Sequence, residues 1–311
     1  MRKRLVAIAL ALATWVAGTL AGSFGAAPAG AAFLLVGRAH EEGAYAPSLD
    51  GEDPIFVLIL GSDARGNTPT DHGLADSIHI LGINPAARRA TLYGIPRDSY
   101  VPLASGGTGK INAAMPPGGL EAEIATVENL TGITFEYYAL TGFGEFARMV
   151  DDVGGLTVDI PYTVESMSTT HQPGVATLDG DRALEFARVR KTLPRGDFDR
   201  SLHQGLLMVS ALTQFRKEYG ADAGTLFTWL GAGYRGVQFD VPLDELTRLA
   251  GLAMSIPPNR VTNLVALGSS GSAGGLSIVN LSPENTRLFQ DLAEDGYILP
   301  KAIPDAAQIQ A

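Results

Sequence analysis

Residues 54–95, "PIFVLILGSDARGNTPTDHGLADSIHILGINPAARRATLYGI", decide the fold. They open on a continuous apolar run, Pro54–Leu60, partly β-branched and stopped by Gly61, the pattern of a buried strand. "SIHILGI" (77–83) and "ATLYGI" (90–95) predict two further strands joined by the turn "NPAARR" (84–89). Downstream, "LEAEIATVENLTG" (120–132) has helical periodicity and a glycine stop, and "FEYYAL" (135–140) follows as a strand. "GFGEFARMVDDVGG" (142–155) is a short helix with a glycine exit, ahead of the strand "LTVDIP" (156–161). "DRALEFARV" (181–189) is a helix, and a longer one starts near Asp199, with Leu202, Leu206, Val209 and Leu212 at three- and four-residue steps. Strands alternating with helices imply a layered α/β domain around a mixed sheet. After Ala221 the pattern predicts two or three more helices and the strands "NLVAL" (263–267) and "LSIVNL" (276–281), with "GSSGSAGG" (268–275) as a hairpin loop.

The 311 residues include 46% apolar and 18% charged side chains, enough for a large core. With 23 Lys and Arg against 33 Asp and Glu the formal charge is −10, which speaks against bulk nucleic-acid binding. There is no cysteine, so disulfides and thiolate catalysis are excluded. Arg2, Lys3 and Arg4 precede an uncharged stretch from Leu5 to Gly37, longer than the roughly 20 residues a membrane span needs. Residues 1–37 therefore read as a membrane anchor, or as a signal segment cleaved near "APAGAAF" (27–33). Either way the bulk of the chain is expected on the extracytoplasmic side. Residues 38–53 read as a linker and 54–311 as one domain.

Against the acidic background, "EFARVRKTLPRGDFDRSLHQ" (185–204) gathers Arg188, Arg190, Lys191, Arg195, Arg200 and, if protonated, His203. Arginine's planar, permanently charged fork suits phosphate oxygens. Arg200 and Gln204 share a helix face, with Arg200 in the first turn, where free N–H groups also attract anions. Asp197 or Asp199 is the expected cap of that helix. A helix ending near Val189 would bring Arg190 back beside Arg188. Asp63 follows the first strand and Asp76 begins the second, so antiparallel pairing would put both carboxylates at one sheet edge. Two oxygen ligands without histidine or thiolate suit Mg²⁺. Arg97 and Asp98 stand together at the exit of the third strand, in "GIPRDSYV" (94–101).

Other chemistries fail on residues. "GGTGK" (106–110) lacks the first glycine of a phosphate-cradling loop, because Ala104 stands there, and Ile111 follows Lys110 where Ser or Thr should hold a metal. The five histidines show no zinc spacing, His79 reads as a packed strand residue, and no nucleophile elbow surrounds Ser62.

"LGSDAR…ADSIHILGINPAARRATLYGIPRDSYV", "KINAAM", "ATVENLTGITFEYYALTGF", "VDDVGGLTVDIPY" and "LDGDRALEFARVRKTLPRGDFDRSLHQG", spanning 55–216 in order, resemble the LytR–CpsA–Psr family of cell-envelope proteins, in its actinobacterial style. The resemblance implies a three-layer α-β-α fold whose central mixed sheet and helices enclose a hydrophobic tunnel for a polyprenyl chain. It implies a membrane-anchored phosphotransferase that moves glycopolymers from undecaprenyl pyrophosphate carriers to peptidoglycan through a phosphodiester bond, with polyprenyl pyrophosphatase activity in some members; the acidic charge argues separately against a nucleic-acid partner. By motif, Asp63 and Asp76 would hold Mg²⁺, with Mn²⁺ as the alternative ion. Arg97, Arg188, Arg190, Arg200 and Gln204 would contact the pyrophosphate, and Asp98 would either orient Arg97 or accept the acceptor's hydroxyl proton. Two positions depart from the family pattern: Leu74 and His203 each stand where an arginine is common. Arg65, Lys110 or Arg195 would have to supply the missing charge. The rival reading is a non-catalytic polyprenyl-phosphate-binding or regulatory protein that keeps the anion site without turnover.

Overall fold

The computed structural model describes residues 34–40, 51, 53–65, 68–222, 225, 228, 229, 237–241 and 243–308. The anchor expected over 1–37 lies, up to Phe33, outside the described residues. Among the described residues no helix is long and apolar enough to cross a membrane.

In chain order the strands are β1 (Leu34–Arg38), β2 (Ile55–Ser62), β3 (Ala75–Asn84), β4 (Arg89–Gly94), β5 (Tyr100–Pro102), β6 (Thr108–Lys110), β7 (Tyr137–Gly142), β8 (Leu156–Ile160), β9 (Val164–Glu165), β10 (Thr170–His171), β11 (Gly174–Leu178), β12 (Val237–Asp240), β13 (Val261–Val265), β14 (Gly268–Ala273) and β15 (Leu276–Leu281). The helices are α1 (Met115–Thr131), α2 (Phe143–Asp152), α3 (Gly180–Arg188), α4 (Asp197–Ala221), α5 (Leu243–Ser255) and α6 (Asn285–Asp295).

Seven strands form one mixed sheet in the order β12-β1-β7-β2-β3-β4-β13. The three strands of the opening stretch are its antiparallel centre, with Leu58 opposite Ile80 and Leu81 opposite Leu92. Alternation along β2 serves both faces. Phe56, Leu58 and Leu60 pack with Ile124 and Val127 of α1 and with Leu288, Phe289 and Leu292 of α6. Ile55 and Val57 pack on the other side with Leu249 and Leu252 of α5. Each fully buried Leu or Ile contributes roughly 1.5–3 kcal/mol, which is why so apolar a run holds the middle of the sheet. A smaller cluster joins β8, α2, α3 and α4 through Val150, Leu156, Val158, Phe186 and Leu207.

The sheet begins earlier than the sequence suggests. Leu34–Arg38 is a strand between β7 and β12 rather than the end of an anchor and the start of a linker. The apolar residues of this strand merge with the run before them, so nothing in the hydropathy marks its start. Helix α4 starts at Asp197, and its cap is Gly196 with no side-chain hydrogen bond, so neither Asp197 nor Asp199 takes the expected capping role. "GGTGK" forms the β5–β6 turn, with Gly106 and Gly107 at positive φ, and leads into a three-residue 3₁₀ turn. "GSSGSAGG" is mostly strand β14, turning at Gly274 and Gly275.

Candidate functional site

The C-terminal ends of β2, β4 and β7 and the start of β3 meet at one end of the sheet, where α/β proteins commonly bind ligands. Strand β2 pairs with β3 through Gly61–Ser77 and Ser62–Ala75, so Asp76 is an extra, unpaired residue at a β-bulge. A bulge turns one side chain out of the regular alternation, and here it turns Asp76 toward a cavity. Asp63 closes the loop between these strands: its N–H donates to the Leu74 carbonyl at 3.0 Å, and its Oδ1 accepts from the Leu74 N–H at 3.1 Å.

The cavity has a volume of about 590 Å³. At one end lie Asp63, Arg65, Asp76, Arg97, Arg188, Arg190, Arg200 and Gln204. Along α4 the lining changes from Arg200 and Gln204 to Leu207, Met208 and Ala211, and α2 adds Phe143, Phe146, Met149 and Val150, so an apolar arm leads away from the charged end. Eight residues singled out in the sequence therefore line one cavity, although 141 positions separate Asp63 from Gln204.

Most of the cations are tied to carboxylates. Arg97 pairs with Asp76, Arg200 with Asp197, and Arg190 Nη1 lies 3.2 Å from Asp98 Oδ2. Arg65 stands more loosely, 3.7 Å from Asp63. Burial disfavours the Arg97 charge, but Asp76, helped by Asp197 and Asp98, outweighs this and raises its pKa above the ordinary arginine value. Arg200 is shifted the other way, by burial and by the neighbouring Arg97 and Arg190. The Nε atoms of Arg97 and Arg200 are buried without a hydrogen-bond partner, an arrangement that an incoming anion would satisfy. Gln204 Nε2 donates to the Ala187 carbonyl at 3.1 Å, tying α4 to the end of α3, and its buried Oε1 has no partner.

Helix α4 is brought in by contacts that sequence reading did not use for the site. His79 Nε2–H donates to the Ser201 carbonyl at 2.9 Å, so its Nδ1 accepts from the Ser77 hydroxyl at 3.1 Å. Burial lowers its pKa to about 4, and the neutral ring pins the residue next to Arg200. As expected from its strand pattern, His79 is fully buried.

Asp98 and Lys110 stand outside the cavity lining. Lys110 Nζ is 2.8 Å from Asp98 Oδ1, so that carboxylate is shared between Lys110 and Arg190 rather than bound to Arg97. Arg195 is also diverted, its guanidinium on Asp199 and the Gln308 carbonyl. His203 is not a sixth cation. It is fully buried, stacks on Phe186 at 4.5 Å, meets the Tyr162 hydroxyl at 2.9 Å, and has a pKa lowered by burial to about 4. Sequence reading missed Asp197 as the counter-ion of Arg200 and Phe143 beneath Arg188. The three-residue spacing of Asp197 and Arg200 on one helix was the available signal.

For a divalent cation the donors that line the cavity are Asp63 and Asp76, while no group of three His, Cys, Asp or Glu side chains is gathered among the described residues. Two carboxylates completed by water and phosphate oxygens are the usual protein share of a Mg²⁺ site, and the donor set fits that ion.

Residues 36–291 match the sequence model of the LytR_cpsA_psr family. The chain belongs to this family. Among LytR_cpsA_psr relatives, the polyisoprenyl-teichoic acid–peptidoglycan teichoic acid transferase TagU of Bacillus anthracis is 38% identical over 159 residues, 50% of this chain and 51% of that protein. TagU of Bacillus subtilis is 33% identical over 178 residues, 54% and 57% of the two chains. The chain thus spans about half the length of these curated relatives. The fold extends further than the sequence identity: the crystal structure of B. subtilis TagV superposes with a TM-score of 0.68 at 24% identity, covering 79% of this chain and 98% of that one.

Proposed function

We propose that this protein is a phosphotransferase that attaches glycopolymers, carried on undecaprenyl pyrophosphate, to peptidoglycan through a phosphodiester bond. The observation that carries the reading is one cavity lined both by five arginines with two carboxylates and by apolar side chains of α2 and α4, a lining matched to a lipid with a pyrophosphate head. The transferase name of the Bacillus relatives supports it.

In this reading the apolar arm seats the first isoprene units of the carrier, as the start of a polyprenyl tunnel. Arg97 and Arg200 offer their free Nε–H groups to the pyrophosphate, while Arg188 and Arg190 approach it from the end of α3. The acceptor sugar's hydroxyl oxygen forms a bond to the sugar-linked phosphorus. The bond from that phosphorus to the bridging oxygen breaks, undecaprenyl phosphate leaves, and the hydroxyl proton is released. Phosphoryl transfer is largely positioning and charge stabilisation, and preorganised guanidiniums supply both. Asp63 and Asp76 would hold Mg²⁺, or Mn²⁺, which would neutralise charge on the phosphate oxygens. With Asp98 held by Lys110 and Arg190, its role is to position Arg190. Polyprenyl pyrophosphatase activity is the same displacement with water as acceptor. The residues Arg2–Arg4 and the apolar stretch after them support a membrane-anchored protein facing outward.

The test follows phosphate released from farnesyl pyrophosphate with Mg²⁺ by the full chain and by Arg97→Ala, Asp76→Ala and Arg200→Ala. Metal-dependent release, reduced at least about a hundredfold in each variant, is expected for residues acting on transition-state charge. Wild-type protein that neither binds nor cleaves the lipid would overturn the reading. Tight binding without release, with a sugar acceptor also present, would favour the non-catalytic lipid-binding protein.

A further inference from the structure

Of the five arginines lining the cavity, four face a carboxylate: Arg65 and Asp63, Arg97 and Asp76, Arg190 and Asp98, Arg200 and Asp197. Arg188 is the exception among the described residues. Its guanidinium carbon sits 4.6 Å from the centre of the Phe143 ring, inside the roughly 6 Å range of cation–π attraction. We propose that Phe143 is a positioning residue, whose ring holds the Arg188 guanidinium at the junction of the cationic end and the apolar arm, ready for the phosphate of a prenyl lipid. The proposal rests on the phosphotransferase reading and adds to it the residue that orients one of its charges.

A carboxylate partner cancels much of an arginine's field and must share it when phosphate arrives. An aromatic face restricts the side chain without carrying a net charge, so the cation keeps its full attraction for the lipid head. Arg188 needs such restraint, because it is exposed and ends a helix, and a free arginine side chain has about 2 kcal/mol of rotamer entropy to lose. Ring and cation are also held at a set spacing. Phe143 opens α2 directly after β7, and α2 and α3 touch backbone to backbone at Gly180. A Cβ there would lie 2.1 Å from the Ala147 carbonyl oxygen, and the Gly180 N–H donates to Asp151 Oδ1 at 2.8 Å. Phe143 itself lines the cavity where Phe146, Met149 and Val150 carry the lining onward as apolar wall.

The experiment compares equilibrium binding of farnesyl pyrophosphate and of farnesol to the full chain in detergent, with EDTA present, by displacement of a fluorescent prenyl probe. The readout is the ratio of the two affinities, which reports the headgroup alone. Phe143→Leu keeps apolar bulk and loses the ring face. It should lower that ratio about fivefold, the size of a partly exposed cation–π contact, beyond any loss of apolar contact, which both lipids share and the ratio cancels. Phe143→Tyr should restore the ratio. In an Arg188→Ala background, Phe143→Leu should lower it no further, as a coupled pair requires. Equal losses for both lipids, or an undiminished effect once Arg188 is gone, would make Phe143 only a wall of the apolar arm and overturn the proposal. A wild-type protein with no preference for the pyrophosphate would overturn the phosphotransferase reading and this proposal with it, an outcome distinct from the first two because there the wild-type preference survives.

Discussion

Asp76 and His203 carry opposite lessons at the scale of single residues. The placement of Asp76 follows from its position: it starts a strand antiparallel to β2, and the bulge at that point turns it into the cavity. His203 looks like part of a basic run, yet its ring is stacked on Phe186 and buried. Neighbours that are distant in sequence decide whether a histidine carries charge. Burial lowers both His79 and His203 to about 4, whereas an unfolded histidine titrates near 6.5. Between those values the unfolded chain binds more protons, so stability rises with pH across the window. The stability these rings give is complete above about pH 6.5 and is lost as the pH falls toward 4, by up to roughly 3 kcal/mol for each histidine. Urea unfolding of the wild type should therefore weaken from pH 7 to pH 5. His203→Phe, which keeps the stack on Phe186, should show a shallower decline over the same range. Equal slopes in the two proteins would mean that His203 is not buried neutral.

At the scale of elements, the position of α4 matters most, because this helix carries Arg200 and Gln204. Three contacts fix it against the sheet: His79 on the Ser201 carbonyl, Asn263 Nδ2 donating to the Leu202 carbonyl at 2.9 Å, and the absence of a side chain at Gly205. A Cβ at Gly205 would lie 2.0 Å from Asn263 Oδ1. Gly205→Ala should thus push α4 off β13 and cost roughly 1–3 kcal/mol, with a parallel loss of prenyl pyrophosphate affinity. Gly251→Ala in α5 is the control, since its Cβ would meet nothing within 4 Å. It should stabilise by about 0.5–1 kcal/mol, the usual gain from removing a helical glycine. Denaturant midpoints of the two variants, moving in opposite directions, would bear this out, and a neutral Gly205→Ala would remove the packing argument. Central strands and amphipathic helices were legible because their periodicity is local. Strand β1 was not, since its pairing with β7 and β12 leaves no mark in an already apolar run.

For the whole molecule, the decisive feature is that a polar end and an apolar arm belong to one cavity. Ala211 of α4 lines it together with Leu207 and Met208. Ala211→Trp should fill the arm without touching the arginines. Geranylgeranyl pyrophosphate affinity is expected to fall at least about tenfold, as removing several buried methylene contacts at roughly 0.8 kcal/mol each would require, while inorganic pyrophosphate binding should hold. A matching loss of inorganic pyrophosphate binding would show that the arm and the cationic end are not separate parts of the site.

The sequence alone determined the strand–helix alternation, the family motifs, the absence of cysteine chemistry and the residue types able to hold a phosphate, because each depends on neighbours within a few positions. It also singled out the seven charged residues and the one glutamine that line the cavity. Only the tertiary structure decided which charges stay free. Arg200 finds Asp197 on its own helix, but the carboxylates of Arg97 and Arg190 and the aromatic ring of Arg188 come from separate parts of the chain. It likewise decided that Lys110 and Arg195 are spent on Asp98 and Asp199, and that His203 is neutral. Electrostatic partnership depends on distance and burial, and both exist only once the chain has folded.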